Sequence, residues 1–255
     1  MSRSADRARR TLEVTRDEWQ DLAELDPLYA VLTHPGSRGG AWDVERFFAT
    51  GESFVQRLIG RAAELGLPRQ RRLALDFGCG VGRLTRALAG HFEHCIGIDV
   101  SPRMVELARS LNAHLPDCSF LVNQWPHLEA IASESCDLVL CKAVLQHLPG
   151  IELKRDYLVE MVRVCRPGGL VAVQVPGRLP LRRRLGVAPR LYAALRRLGV
   201  PPGVLYHHLG LTPIRMSAMP RAEVLAAVAE AGGSVRAVDR PAVDPGDETY
   251  YLTRP

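Results

Sequence analysis

Long apolar runs are absent from this chain of 255 residues. No run approaches the roughly 20 apolar residues with which a helix crosses a bilayer, so we expect no transmembrane segment. The first residues are basic and lead into no apolar stretch, which predicts no secretory signal and a cytoplasmic location. Hydrophobic residues make up 47% of the chain and charged residues 24%. This composition excludes an intrinsically disordered chain and is typical of a globular protein.

Closely paired cysteines are absent as well. The six cysteines never form a C-x-x-C pair; they are Cys79, Cys95, Cys118, Cys136, Cys141 and Cys165. Their spacing fits neither a zinc site nor the disulfide framework of a small secreted protein. The sequence also has no cluster of acidic residues that suggests bound magnesium. We therefore expect reduced, mostly buried thiols and no metal cofactor.

Acidic residues are missing from the segment 176–215, which contains eight arginines. The whole chain has a formal net charge of +5, so this segment carries +8 and the remainder −3. The arginines can form a solvated helix face, attract an acidic ligand, or bind an RNA or membrane surface. Nucleic acid is the least favoured partner, because the basic balance is confined to one segment and no added binding domain is evident.

Five short, continuously apolar runs predict strands that are buried on both faces, at 73–77, 94–99, 119–122, 137–141 and 170–175. Helical patterns lie between them, and Ser101 can cap one helix with Pro102 at its first position. Strands that alternate with helices form right-handed crossovers. The sequence therefore predicts an α/β fold with a Rossmann-like, doubly wound and mainly parallel sheet.

The C-terminal part of the chain adds two further strands to this prediction. A helix at 220–231 ends at two glycines, and short apolar runs follow at 234–238 and 249–252. A closing pair of this kind places one antiparallel strand in an otherwise parallel sheet. We therefore expect seven strands, the last of them antiparallel.

A glycine-rich loop follows the first predicted strand. Gly78, Gly80 and Gly82 occupy alternate positions, so the backbone can turn sharply and approach a ligand closely. Asp99 ends the next strand, 17 residues after Gly82, where a carboxylate can accept hydrogen bonds from both ribose hydroxyls. A dinucleotide fingerprint would require glycine at position 83, which is Arg83. The pattern predicts a nucleoside-containing cofactor other than a dinucleotide.

Four segments, in order, resemble the class I S-adenosylmethionine-dependent methyltransferases, especially the small-molecule enzymes that include quinone-biosynthesis methyltransferases. The four segments, which fall within about 72–175, are LALDFGCGVGRLT, CIGIDVSPRMVELAR, SESCDLVLCKAVLQHLP and VCRPGGLVAVQVP. The resemblance implies S-adenosyl-L-methionine as the cofactor and methyl transfer as the activity.

The resemblance also implies which residues surround the cofactor. The glycine loop, with Asp76 and Cys79, would hold the methionine and ribose, and Asp99 with Val100 the ribose. Met104 matches an apolar position beside adenine. Where the family usually has an acid that receives the adenine amino group, this chain has Asn123, Gln124 and Trp125. Just past the fourth strand, Cys141 and Lys142 would border the methyl sulfonium.

We expect the chain to divide into two parts. Residues 1–66 would form a polar tail, up to about residue 15, and a helical lid broken by a loop at 34–40. Residues 67–255 would form the methyltransferase domain, with a basic helical insertion at 176–215 that completes the lid. Within the lid we expect a cofactor-side corner made by Arg46, Phe47, Phe48, Thr50 and Gly51.

His147 follows the fourth strand on the cofactor side and is the best candidate for a general base. A structural hydrogen-bonding role fits this histidine equally well. Tyr206, His207 and His208, in the basic segment, are secondary candidates.

Three functions are compatible with these observations. The first is a methyltransferase for a small-molecule acceptor, with an acidic acceptor as one option and an O, N or C nucleophile. The second is an RNA methyltransferase, and the third is a non-catalytic partner protein that binds the cofactor. The complete set of cofactor segments argues against the third. The sequence leaves the oligomeric state open.

Overall fold

The computed structural model describes residues 3–34, 36–180, 186–240 and 246–255. At its centre is one seven-stranded sheet with the strand order β3-β2-β1-β4-β5-β7-β6. The strands are β1 (Leu73–Phe77), β2 (His94–Asp99), β3 (Cys118–Val122), β4 (Cys136–Cys141), β5 (Cys165–Pro176), β6 (Ser234–Asp239) and β7 (Asp247–Thr253). β7 runs antiparallel to both β5 and β6, and the other neighbouring strands are parallel. The predicted fold class is confirmed.

Helices cover both faces of the sheet and the carboxyl ends of its parallel strands. They are α1 (Arg3–Leu25), α2 (Pro27–Val31), α3 (Val44–Glu64), α4 (Arg83–Leu88), α5 (Pro102–Leu111), α6 (Ile151–Val164), α7 (Val187–Arg197) and α8 (Arg221–Glu230). A 3-10 turn, Leu145–His147, and a π-helical turn, Val204–His208, lie between them. α6 and α8 pack on one face of the sheet, and α3 and α4 on the other. All six residues of β4 are buried, as a central strand between two helical layers requires.

The sheet order places a ligand site at one point. β1 lies between β2 and β4, so the chain turns to opposite sides of the sheet on either side of β1. In open α/β sheets, ligands bind beyond the carboxyl ends of the strands at such a switch point. The glycine loop leaves β1 at this position.

The sequence predicts a polar tail up to about residue 15, and for the described residues 3–15 this prediction is wrong. α1 begins at Arg3, and Leu12 and Thr15 are buried. Leu12, Thr15, Trp19 and Leu22 are spaced as one helix face, which packs onto the rest of the fold although charged residues dominate the other faces. β5 also begins earlier than expected, because Cys165 pairs with Cys136 before a register shift.

Candidate functional site

A cavity of about 340 Å³ opens at the switch point, beyond the carboxyl ends of β1, β2 and β4. Ten of the fourteen predicted site residues line it: Asp76, Gly78, Cys79, Gly80, Asp99, Val100, Met104, Asn123, Lys142 and His147. They come from four separate segments of the chain, and the parallel sheet brings these segments to one edge.

Two glycines of the loop allow other parts of the chain to approach closely. Gly78 and Gly80 both have positive φ angles, +74° and +53°, a conformation that L-residues with side chains rarely adopt. A Cβ atom at Gly78 would collide with the side chain of Val144, and one at Gly80 with the side chain of Val31 in α2. Val144 and Val31 therefore pack tightly against the glycine loop.

Gly82 has a different role from that of Gly78 and Gly80. It is the N-cap of α4, with a φ of +84°, and a Cβ there would lie 2.7 Å from the Asn112 amide nitrogen and 2.8 Å from the Phe120 ring. Gly82 is thus required for the packing of α4 against β3 and α5, and it does not line the cavity.

Asp99 is held by two backbone groups. Its Oδ2 accepts a hydrogen bond from the amide of Gly80 and its Oδ1 one from the amide of Ser101, both at 2.9 Å. Burial raises the pKa of this carboxyl. Because a carboxylate oxygen offers two lone pairs, each can accept a further hydrogen bond from a ligand hydroxyl.

Asp76 and Arg83 place opposite charges at the methionine end of the predicted site. The Thr85 hydroxyl donates to Asp76 Oδ2 at 2.7 Å, and burial raises the pKa of Asp76 to about 6. Arg83 is only 8% exposed and lines the cavity; its Nη1 donates to the Thr50 hydroxyl at 3.2 Å. Its Nε is buried and has no hydrogen-bond partner among the described residues.

Sequence reasoning missed Arg83 as a site residue, although it directly follows the glycine loop. Burial lowers the pKa of its guanidinium, and the Asp76 carboxylate partly offsets this effect. A buried polar group without a partner is costly, so a ligand anion that accepts from Nε would stabilise this arrangement.

The predicted adenine end is only partly at the cavity. Met104 is 1% exposed and lines it, as does Asn123. The Asn123 amide nitrogen donates to the main-chain oxygen of Trp125 at 3.0 Å. The side chains of Gln124 and Trp125 are exposed and lie outside the cavity.

Lys142 joins the cavity to the neighbouring strands. Its Nζ donates to Gln174 on β5, whose amide nitrogen donates to Asp247 on β7 at 2.8 Å. Burial lowers the pKa of Lys142 to about 8, and Asp247 acts in the opposite direction. Cys141 is fully buried and lines a smaller cavity of about 220 Å³, which Lys142 also borders.

His147 lies at the end of a 3-10 turn and lines the cavity. Its Nδ1 is 2.7 Å from the main-chain oxygen of Arg215, and its ring packs edge-on against Trp19 at 5.3 Å. Because a carbonyl oxygen only accepts, Nδ1 carries a proton and Nε2 holds the lone pair of the neutral ring. Burial lowers the pKa of this imidazole.

The cavity is roofed by α1, by the residues that follow it, and by the end of the basic segment. The roof residues that line it are Leu12, Thr15, Trp19, Ala30, Val31, Leu32, Thr33, Ile214 and Met216. The expected corner made by Arg46, Phe47, Phe48, Thr50 and Gly51 does not line it. Phe47 and Phe48 are buried in a cluster with Val81 and Met104, one layer away.

Part of the arginine-rich segment is neutralised by α1. Arg196 pairs with Asp21 at 3.1 Å, and the hydroxyl of Tyr192 donates to the same carboxylate. Arg215 pairs with Glu18 at 2.7 Å. These two arginines therefore dock the segment onto α1. Arg178, Arg190 and Arg197 are exposed, and Arg182, Arg183 and Arg184 lie outside the described residues.

The secondary candidates in this segment do not reach the cavity. Tyr206 is buried, and its hydroxyl donates to Asp26 at 2.7 Å, so it fastens the π-helical turn to the N-terminal helices. His207 and His208 are exposed. Among the described residues, no helix combines the length and the apolar character needed to cross a membrane.

A known domain family, described as "Methyltransferase domain", matches residues 75–173. The chain is 37% identical over 113 residues to a trans-aconitate 2-methyltransferase of Methylobacterium radiotolerans, covering 42% of this chain and 39% of that protein. It is 32% identical over 171 residues to a ubiquinone biosynthesis O-methyltransferase of Xanthomonas campestris pv. campestris, covering 65% of this chain and 66% of that protein. The chain thus spans less than two thirds of either relative.

The fold has a solved counterpart over almost its whole length. Magnesium protoporphyrin IX methyltransferase from Synechocystis PCC 6803, with bound SAH, superposes with a TM-score of 0.62 and 19% identity. The match covers 96% of this chain and all of that one. At 19% identity, the structural likeness shows that the two chains share a fold. The glycine loop, Asp99 and the matching domain are the evidence for the family. Together they identify residues 75–173 as a methyltransferase domain of the class I S-adenosylmethionine-dependent type.

Proposed function

We propose that this chain transfers the methyl group of S-adenosylmethionine to a small-molecule acceptor bound beneath α1. The observation that carries the proposal is a single cavity lined by the glycine loop, Asp99, Lys142 and His147. These groups would meet the cofactor on one side and the acceptor on the other.

The residues present fit this cofactor. Asp76 would bind the methionine ammonium and Arg83, whose buried Nε has no partner among the described residues, the carboxylate. Asp99 would accept from the ribose hydroxyls, with Met104 and Asn123 beside the adenine. The tight loop at Gly78 and Gly80 allows the backbone to approach the ligand.

The bound cofactor supplies an activated methyl group, so the chain has to orient the acceptor and exclude water. Orientation of two reactants can lower a barrier by about 7–11 kcal/mol. Leu12 and Trp19 of α1, with Ile214 and Met216, would exclude water from above. His147 would take the proton of an oxygen or nitrogen acceptor at Nε2.

An acidic acceptor is the finer part of the proposal. Lys142 lines the cavity, and with a pKa of about 8 it is mostly charged at neutral pH, so it can pair with a carboxylate. One relative is named for trans-aconitate, a carboxylate, which supports the same class. The exposed arginines of the basic segment would add a long-range attraction.

Calorimetric titration with S-adenosylhomocysteine tests the cofactor assignment. We expect micromolar binding to the wild type, a loss of at least roughly tenfold in Asp99→Ala because hydrogen bonds to a charged group are removed, and no binding of NAD. Asp117→Ala, which changes an exposed aspartate beside the start of β2 and away from the cavity, is the matched control. NAD binding alone would overturn the proposal.

An acceptor screen then tests the reaction. Turnover with small carboxylate-bearing nucleophiles would support the proposal in full. Methyl transfer only to tRNA or rRNA would contradict the acceptor class, and cofactor binding without any turnover would favour a non-catalytic partner protein.

A further inference from the structure

α7 exposes an apolar stripe on the side that faces away from the fold. Val187, Leu191, Ala194 and Leu198 follow one another at intervals of four, three and four residues, which places them on one helix face. Val187 is 70% exposed, Leu191 47% and Leu198 80%. The opposite face of α7 packs onto α1, where Tyr192 is buried. The apolar stripe is therefore not used to pack α7 onto the fold.

The stripe lies in the part of the chain where large exposed hydrophobic side chains concentrate. Ten such side chains occur among the described residues, and five of them fall between 187 and 209. Val204 and Leu209, in and just after the π-helical turn, are exposed as well. We call Val187, Leu191, Ala194 and Leu198 the apolar stripe. Contiguous exposed apolar surface marks an interaction site, whereas scattered single residues do not.

Arginines border the stripe on one side. Arg190 and Arg197 are exposed and lie about two turns apart, three residues after Val187 and three after Ala194. Arg196 is different, because it points to α1 and pairs with Asp21. No acidic residue occurs anywhere in 176–215, so nothing on the segment itself repels an anionic surface.

We propose that the apolar stripe, with Arg190 and Arg197, binds the surface of an anionic lipid bilayer. A helix that presents an apolar face with arginines beside it lies in the plane of the interface, with its apolar side chains among the acyl chains. Long arginine side chains reach back to the headgroups while their stems stay in apolar surroundings. The charge of the segment is complementary to anionic lipids, and the stripe is exposed along one face of the helix.

The surface is linked to the cavity through the chain. The segment that carries it runs on to Ile214 and Met216, which line the cavity, and Arg215 holds the ring of His147 through its main-chain oxygen. The bilayer would therefore contact the same segment that roofs the site. This inference does not depend on the proposed methyl transfer, and its test requires no activity.

Vesicle sedimentation with the full chain tests the proposal. We expect binding to equimolar phosphatidylcholine–phosphatidylglycerol vesicles and weak binding to phosphatidylcholine alone. Each arginine near an anionic surface is worth about fivefold, so Arg190→Gln with Arg197→Gln should lose roughly 25-fold. Leu191→Gln with Leu198→Gln should lose on the order of tenfold or more. High salt should weaken the wild type in the same way as the arginine variant.

Matched controls keep the charge and polarity changes but move them elsewhere. Val44→Gln with Leu225→Gln changes two other exposed hydrophobic residues, and Arg221→Gln with Arg236→Gln two other exposed arginines. These variants should bind vesicles as the wild type does. Circular dichroism melting curves and S-adenosylhomocysteine affinity establish that all variants are folded.

Four outcomes would overturn the proposal. The first is no binding of the wild type to either vesicle, and the second is an equal loss in the control variants. The third is a stripe that mediates self-association, seen as a concentration-dependent dimer without vesicles that Leu191→Gln with Leu198→Gln abolishes. Retention of RNA that needs the arginines but not the stripe would indicate a nucleic-acid surface instead.

Discussion

The Nδ1 atom of His147 lies 2.7 Å from the main-chain oxygen of Arg215, which is 68 residues further along the chain. This contact fixes the proton on Nδ1 and leaves the lone pair on Nε2. A carbonyl of the basic segment thus sets the tautomer of the candidate base. Two residues after the segment, Ser217 is held by Lys154, whose Nζ donates to its hydroxyl and main-chain oxygen.

Two substitutions of His147 separate a catalytic from a structural role. Asn at this position can donate to the Arg215 carbonyl from its amide nitrogen but has no basic lone pair. We expect His147→Asn to lower kcat by about 100- to 10,000-fold with nearly unchanged S-adenosylhomocysteine affinity. Full activity in His147→Asn, combined with loss of activity or folding in His147→Ala, would assign a structural role.

The pH profile gives a second readout for His147. Burial lowers the pKa of its imidazole below the usual 6.5, so the ring stays neutral at neutral pH. The rate should fall with acidification only below about pH 6.5, as the ring becomes protonated, and the His147→Asn variant should lack this limb. An unchanged acid limb in the variant would attribute it to another group.

Replacement of Asp76 should stabilise the ligand-free protein and weaken cofactor binding. Its pKa is about 6 when folded against 3.8 ordinarily, so the folded state binds the extra proton. The destabilisation that the ionised Asp76 causes is absent below about pH 4, grows as pH rises and is complete above about pH 6. At pH 7, Asp76→Asn should raise the free energy of unfolding by on the order of 3 kcal/mol.

Urea unfolding at pH 4 and pH 7, with variant and wild type side by side, checks this expectation. Asn can still accept the hydrogen bond of Thr85, so packing is preserved. Stabilisation of equal size at both pH values would contradict the assignment of the penalty to Asp76 ionisation. Affinity for S-adenosylhomocysteine should fall in Asp76→Asn, because the ammonium loses its counter-charge.

Lys142 should govern the affinity for a carboxylate acceptor. Burial lowers its pKa to about 8, so its charge is present at pH 7 and lost as pH rises above 8. We expect Lys142→Met to raise KM by at least roughly tenfold, since a charge-assisted hydrogen bond is removed. In the wild type, KM should rise between pH 7 and 9. Lys142→Arg keeps its charge and should remove that pH dependence. A KM that still rises with pH in this variant would show that another group causes the pH dependence.

Two glycines on α3 offer a matched pair for packing. A Cβ at Gly51 would lie 2.5 Å from the main-chain oxygen of Arg83, where α3 crosses the start of α4, whereas nothing lies within 4 Å at Gly60. Gly60→Ala should stabilise the protein by about 1 kcal/mol through helix propensity. Gly51→Ala should destabilise it by about 1–3 kcal/mol. Equal effects in urea unfolding would show that α3 and α4 separate easily.

The core strands could be predicted from the sequence because strands between two helical layers must be apolar on both faces. β1 and β2 begin and end where the apolar runs do, at 73–77 and 94–99. The part of α1 before about residue 15 could not be predicted, because its apolar residues are spaced among charges and are buried only when α2, α5 and the basic segment pack against the helix.

By itself, the sequence determined the glycine loop, the carboxylate of Asp99 and the family, since these depend on residues within a few positions of a strand end. Only the tertiary structure decided how distant residues meet at the cavity. Lys142, Gln174 and Asp247 are joined because β4, β5 and β7 are neighbours in the sheet, although more than 100 residues separate the first from the last. Local pattern specifies which residue types follow a strand, whereas strand order, which depends on long-range packing, specifies which side chains touch.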